Sequence, residues 1–366
     1  MTATALRVIS PGPRSSVQDA GRRASQRYGV SVSGALDGEA LMLGNRLVGN
    51  QPDAAAIEVT FGAAEFEFLE PSLFALTGAD LGATLDGQPC ARWHSLQAPT
   101  GARITFASPV AGMRSYLCVA GGIDTSPVLG SRSTHVASKL GGVDGSALKS
   151  GDVLPIGQMG SDSAWGLRVP ASILALPTDQ ITLRVIPGPQ EGAFSARGVD
   201  TFYGSTFTVS DRSDRQGVRL DGPIIESEQG RYDIVSDAVA FGSVQVPGDG
   251  KPIVLLADRQ TTGGYAKIGV VASVDLPLLA QAGSGATIRF SRISVEAAQT
   301  LARNRRTALA STPLELSDHA TEFVLKPGSR HVRVRLAMPD DMTVNPVAAL
   351  TIDGGLAFTA HIERIA

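Results

Sequence analysis

The sequence predicts a mainly β protein made of two consecutive domains with a few short helices. Three observations carry that expectation. The 366 residues suffice for two domains at roughly 100–200 residues each. With 41 glycines, 21 prolines and only 5% aromatics, the chain turns often and favours many short strands over long helices. The second half also begins as the first does. ITLRVIPGPQEG at 181–192 echoes ALRVISPGPRSS at 5–16, and AQAGSGATIRF at 280–290 echoes LQAPTGARITF at 96–106. Two matched pairs in the same order predict tandem domains of like architecture, with chance similarity between short motifs as the alternative.

The elements follow in order. Residues 5–9 (ALRVI) read as a first strand, and 10–23 as a polar loop rich in turn formers. Leu36, Ala40, Leu43 and Leu47 recur at helical spacing within 33–50; Asp37 is placed to cap that helix and Gly49-Asn50 to stop it. Apolar runs at 55–61, 64–70, 73–78, 102–108 and 113–122 then read as strands, and Asp86-Gly87 as a hairpin turn. A Gly/Ser-rich loop fills 121–151, and 151–157 (GDVLPIG) reads as a closing strand. The irregular, proline-containing stretch 158–179 marks the domain boundary. Residues 294–306 predict a helix capped by Ser294 with Glu296 in its first turn. The expected organisation is a first domain over 1–160, a second over 180–306, and a C-terminal extension of three or four strands over 307–366.

Composition narrows the function. A formal net charge of -3 leaves no cationic excess for a phosphate backbone, so nucleic-acid binding is not expected. No apolar window reaches transmembrane length, and the N-terminus reads as a strand rather than a signal peptide. Cys90 and Cys118 form neither a disulfide framework nor a CxxC pair, and the five histidines are scattered, so no metal site is expected and the setting reads as reduced and cytoplasmic.

Four polar clusters are candidates for chemistry. The densest follows the apolar run 253–257: Asp258, Arg259, Gln260, Thr261, Thr262, Gly263 and Gly264, then Tyr265 and Lys267, with Gln245 just upstream. Glycines there let backbone approach a ligand, Asp258 could serve as or orient a base, and Arg259 and Lys267 could hold an anion. A well-bonded turn with a surface ion pair is the alternative. The second cluster, 209–222, offers an anion clamp in Ser213 and Arg215, or simply a solvated charged hairpin. The third supplies Ser131, Arg132 and Ser133 for an oxyanion, or is simply an ordinary Ser-rich loop; the fourth supplies Gln18, Asp19, Tyr28 and Ser33 ahead of the first helix, whose N-terminus could favour an anion, though capping alone explains Asp37 equally well. No GxSxG, HExxH or Walker A motif is present.

These segments together resemble one family. SVQDAGR at 16–22, SGALD at 33–37, NRLVGN at 45–50, LTGAD at 76–80, YLCVAGGID at 116–124, GSRST at 130–134, SDRQGVRL at 213–220, VQVPGDGKPI at 244–253 and ADRQTTGGYAKIGVVASVDLP at 257–277 are similar to the family of 5-oxoprolinase C subunits, also called KipA or allophanate hydrolase subunit 2. The same module occurs in the carboxyltransferase part of urea carboxylase. The resemblance spans about residues 6 to 300 and implies tandem cyclophilin-like β-barrel domains. It implies ATP-dependent opening of 5-oxoproline to glutamate, in complex with a KipI-like partner (the B type) and a LamB/YcsF-like partner (the A type), with ATP used by the complex. Two other readings stay open. One is a carboxyltransferase fed with carboxybiotin by another chain, since no Ala-Met-Lys-Met sequence occurs here; the other is a KipA-like regulatory binding protein. On this resemblance Asp258, Gln260 and Tyr265 would position the amide, and Arg215, Arg132 and Lys267 would bind its carboxylate or a phosphorylated intermediate. Gln216-Gly217-Val218, Ala266 and the 58–64 segment depart from the family pattern, which bears on substrate more than on fold.

Overall fold

The computed structural model describes residues 5–160, 163–174 and 178–317, together with strand backbones at 320–325, 332–337, 347–352 and 356–361. The protein is mainly β with a few short helices, as the glycine- and proline-rich composition predicts. Its first half holds β1 (Ala5–Ser10), β2 (Arg14–Gln18), α1 (Gly38–Leu47), β3 (Ala56–Thr60), β4 (Glu65–Phe68), β5 (Ser72–Asp80), β6 (Thr84–Leu85) and β7 (Gln88–Pro89). β8 (Ser95–Ala98), β9 (Arg103–Thr105), β10 (Ala111–Val119) and β11 (Val153–Pro155) complete it. They form a six-stranded sheet in the order β11-β1-β4-β9-β6-β7 and a five-stranded sheet in the order β2-β3-β10-β5-β8. The predicted Asp86-Gly87 turn joins β6 to β7 with both residues at positive φ, 49° and 82°, as a tight hairpin of primed type requires.

Strand alternation decides what each sheet face does. Leu6, Val8, Phe66, Phe68 and Ile104 from one sheet meet Val17, Ile57, Val59, Phe74, Leu76 and Leu117 from the other in a single core. The opposite face of the five-stranded sheet carries the alternate residues. Ser16, Glu58 and Tyr116 lie in one cross-strand row, all buried. That polar row is covered rather than solvated: α1 packs on it through Ala40, Leu43 and Leu47, and the second half of the chain covers the remainder.

Helix α1 starts at Gly38, five residues later than the first residue of the segment predicted to contain it. Ser33 and Gly34 sit at φ 57° and 93°, a left-handed geometry that no α-helix includes. Asp37 caps the helix, its carboxylate accepting from Ala40 N at 3.0 Å, and Gly49 at φ 73° follows its end.

The second half comprises β12 (Leu167–Arg168), β13 (Gln180–Pro187), α2 (Ala196–Gly204), β14 (Thr206–Val209), β15 (Gly217–Asp221), β16 (Asp233–Ala238), β17 (Ser243–Gln245), β18 (Ile253–Leu255), β19 (Thr262–Tyr265), β20 (Lys267–Val271), α3 (Leu276–Ala280) and β21 (Thr287–Arg292). Seven of these strands close a barrel in the order β13-β20-β17-β18-β15-β14-β21, sealed by the parallel pairing of β13 with β21. Leu183, Val185, Phe207, Val244, Ile268 and Ile288 fill its core. β16 and β19 form a separate two-stranded ribbon. The two echoed segments thus supply β1 and β9 in the first half and β13 and β21 in the second.

Two segments differ from their sequence reading. Within the stretch 158–179, expected to hold the domain boundary, residues 163–174 pack on the first half: Trp165, Val169 and Ile173 bury beside α1, and β12 pairs with β22 (Glu315–Leu316). The helix expected over 294–306 is α4 (Val295–Ser311), so residues 307–311 belong to it. TALAS at 307–311 contains no helix breaker, and Leu309 adds an apolar anchor in the same cluster as α1. Arg46 of α1 donates to Thr312 O at 2.8 Å, and Arg305 to Glu39 at 3.0 Å. Four strands follow as two hairpins, β23 (Ala320–Leu325) with β24 (Val332–Ala337) and β25 (Val347–Ile352) with β26 (Leu356–His361). Among the described residues, no helix is long and apolar enough to cross a membrane.

Candidate functional site

The loop leaving β18 carries the densest predicted cluster, and the structure lays it against the first half of the chain. The loop is fixed by main-chain bonds: Leu256 N donates to Gln216 O at 2.8 Å and Asp258 N to Arg215 O at 3.0 Å. The segment 31–34 crosses over it. Ser33 N donates to Ala257 O at 3.0 Å, and Ser31 Oγ to Arg259 O at 2.7 Å. Gly34 is required at this crossing, because a Cβ there would lie 2.9 Å from Gly21 N at a φ unsuited to other residues.

Arg215 stands at the centre of the seam, 4% exposed. Its Nε donates to Asp258 Oδ2 at 3.0 Å and its Nη2 to Asp258 Oδ1 at 3.2 Å and to Gly34 O at 2.5 Å. Its Nη1 pairs with Glu58. Glu58 Oε2 in turn accepts from Tyr116 Oη at 2.7 Å and from Leu36 N at 3.0 Å. Burial works against the charge of Arg215, but Asp258 and Glu58 more than offset it, and its pKa is raised. Pairing of this kind offsets the desolvation cost of a buried charge. Ser33 Oγ lies 2.9 Å from Asp258 Oδ1, so this carboxylate accepts three hydrogen bonds from two residues.

A second seam contact lies beyond α1. Gln281 Nε2 donates to Asp37 Oδ2 at 2.8 Å, while Gln281 Oε1 accepts from Met113 N and Arg114 N at 3.1 and 3.0 Å. Burial pushes the Asp37 carboxyl up to about 6. Desolvation likewise lowers the pKa of the half-buried Arg114.

A cleft of about 340 Å³ opens beside Arg215. Asp214, Gln216, Asp258, Gln260, Thr261 and Thr262 line it from the second half, and Arg14, Ser31, His135 and Val136 from the first. Three amides form a chain along one wall: Gln216 Nε2 to Gln260 Oε1 at 3.3 Å, and Gln260 Nε2 to Gln245 Oε1 at 3.3 Å. The arrangement can present a fixed carboxylate, oriented amides and a guanidinium to a small polar molecule. Asp258 is 11% exposed, open enough to meet one.

The other expected residues are placed as follows. Asp19 joins the third and fourth clusters. Its carboxylate accepts from Ser131 Oγ at 2.7 Å, Gly21 N at 2.8 Å, Arg132 N at 2.6 Å and the Ser133 hydroxyl. The hydroxyls of Ser131 and Ser133 are therefore spent on building the 131–133 loop. Gln18 is fully buried and donates to Thr134 O at 3.1 Å. Arg132 reaches outward to Asp124. Lys267 pairs with Asp237 at 2.9 Å on the ribbon side of the barrel. Ser213 Oγ bonds the main chain of Arg219 at both ends, 3.1 and 3.3 Å. Tyr28 is 71% exposed under Arg27, and Tyr265 lies on β19, where Gln245 Nε2 reaches its carbonyl at 3.4 Å. Gly263 and Gly264 are in β19 itself. Arg259 points to the opposite side of the loop from Asp258 and Gln260, into a different cavity.

Sequence reasoning missed Glu58, Arg14 and His135. Glu58 had one signal, a lone acid in an otherwise apolar strand segment (AIEV). Arg14 and His135 had none, because only the fold brings them together.

Fold and site together define a two-part β protein with a polar cleft built on an ion-paired seam. The chain belongs to the carboxyltransferase domain family, subdomain A and B, whose model matches residues 28–292. It is 40% identical over 302 residues to the 5-oxoprolinase C subunit of Escherichia coli (strain K12), covering 80% of this chain and 93% of that protein. The corresponding protein of Haemophilus influenzae is 37% identical, with 81% and 94% covered. The urea amidolyase of Lachancea kluyveri is 31% identical over 83% of this chain, but this chain spans only 18% of it. Among solved structures, the K. lactis urea amidolyase superposes with a TM-score of 0.80 at 28% identity, over 92% of this chain and 22% of that one. The chain is thus homologous to the C subunits of 5-oxoprolinases and related to a region of the urea-processing enzymes.

Proposed function

We propose that the protein is the C subunit of a 5-oxoprolinase, acting with partner chains in the ATP-dependent opening of 5-oxoproline to glutamate. The observation that carries this reading is the 40% identity to a 5-oxoprolinase C subunit across 93% of that protein's length. The cleft supports it chemically. A lactam is a small planar amide bearing a carboxylate, and the cleft offers Gln216 and Gln260 for the amide, Arg14 for the carboxylate, and Asp258 to orient the attacking water. Arg215 and Ser33 act as positioning residues that hold Asp258. Tyr265 and Lys267 support the ribbon that forms the cleft's far edge. Donors already oriented toward a developing oxyanion would supply much of the rate enhancement.

We assign ATP to the complex rather than to this chain, whose sequence has no GK[ST] ending, and the partner roles to a KipI-like protein and a LamB/YcsF-like protein in the cytoplasm. The test is reconstitution. The protein is mixed with candidate partner chains, 5-oxoproline and ATP, and glutamate and ADP are followed together. Coupled release of both, only in the full mixture, supports the reading. A complex that assembles and yields neither product overturns it, and urea with a carboxybiotin donor then becomes the substrate pair to try.

A further inference from the structure

A second cavity, of about 550 Å³, lies on the other side of the loop that follows β18. Residues 258 to 260 alternate between the two: Asp258 and Gln260 face the first cleft, and Arg259 lines the second. Ser33, bonded to Asp258, also lines the second cavity, so one thin wall separates them. The remaining wall is largely apolar, with Val32, Leu41, Met42 and Phe241.

Arg259 is 5% exposed and has no carboxylate partner among the described residues. Its Nε donates to Val239 O and its Nη1 to Leu256 O, both at 3.1 Å, and its guanidinium lies 5.6 Å from the centre of the Phe241 ring. Nη2 has no partner among the described residues and is not sealed from the cavity. A buried guanidinium held only by carbonyls and a ring keeps most of its desolvation cost, which an external anion can offset. The other charged groups around the cavity do not supply that anion. Asp19 is saturated by two hydroxyls and two main-chain amides. Asp53 and Arg23 are exposed and offset one another in sign.

We infer that this cavity is a binding site for an oxyanion, a carboxylate or phosphate group carried on a compact apolar body, with Arg259 as its anchor. The site is separate from the Asp258 cleft and does not depend on the lactam reading. It gives the chain a place to hold a second ligand one loop away from the first, and the shared Ser33 and 258–260 backbone would couple the two.

The test uses the full chain and phenyl phosphate, benzoate and neutral benzamide as probes, at constant ionic strength. Binding is read by calorimetry and by the shift in unfolding temperature. Phenyl phosphate, benzoate or both should bind saturably and benzamide should not; comparing the two anions separates a phosphate from a carboxylate site. Arg259→Gln should weaken binding by about tenfold or more, the value of a charge-assisted contact. Because that change also removes two structural hydrogen bonds, a second variant fills the cavity instead. A Cβ at Gly38 meets nothing within 4 Å, so Gly38→Leu should fold and still block the site. Gln260→Ala, in the other cleft, should leave anion binding in place. Absence of saturable anion binding, equal binding of benzamide, or binding unchanged in Gly38→Leu would each overturn the inference.

Discussion

Arg215 and Arg259 are both nearly sealed from solvent, and both border the loop that follows β18, yet they have opposite surroundings. Arg215 meets two carboxylates, on Glu58 and Asp258, and burial does not lower its pKa because those charges prevail. Arg259 meets two carbonyls and a ring, and desolvation lowers its pKa. One guanidinium is finished by the fold and orders the seam. The other is left with unused donor capacity beside a cavity. A buried arginine is therefore not a ligand site by itself; what distinguishes the two is whether the chain supplies the counter-charge.

The comparison can be broken from the Arg215 side first. Arg215→Met strands Glu58 and Asp258 as uncompensated buried carboxylates, and should cost about 3–5 kcal/mol in denaturant unfolding. A loss below about 1 kcal/mol would show that the seam does not depend on it. The pH dependence comes next. Asp37 has a folded pKa of about 6 against an ordinary value of 3.8, so its contribution is fully present below pH 4 and is lost as pH rises through 6. The amount is about 3 kcal/mol, and Asp37→Asn should flatten that part of the stability-against-pH curve. A wild-type curve already flat between pH 4 and 7 would place the proton elsewhere. Glu58→Gln is milder, because Arg215 keeps Asp258; about 2 kcal/mol is expected. Smallest is Gln260→Ala, whose amide makes two long hydrogen bonds at a half-open position. Its stability should change by less than about 1 kcal/mol, while KM of the reconstituted enzyme rises about threefold to tenfold.

Much of this was legible in the sequence, for local reasons. The Asp37 and Ser294 caps and the Asp86-Gly87 turn are short-range devices, and each is where the spacing put it. The loop after β18 announced itself by a run of polar residues and glycines behind an apolar strand. What escaped was long-range. Glu58 and Arg215 are 157 positions apart, and only the pairing of β2, β3 and β10 turns Glu58 away from the core and toward the seam. The same holds for Arg14 and His135 at the cleft. Conversely, Ser131 and Ser133 looked free as hydroxyls but are consumed by Asp19, a contact spanning 112 positions or more. The packed stretch around Trp165 read as a domain boundary, because the cluster it joins also draws Leu309 from a helix far along the chain.

The central claim is that the Asp258 cleft performs the chemistry of an assembled 5-oxoprolinase. It is tested most directly with Asp258→Asn, which keeps the side chain's size and its place beside Arg215 and Ser33. The variant is assembled with candidate partner chains, and glutamate and ADP release are compared with wild type. The account predicts a complex that assembles normally and loses about a hundredfold or more in turnover. An assembled variant that opens 5-oxoproline at the wild-type rate would contradict it and move the chemistry away from this cleft.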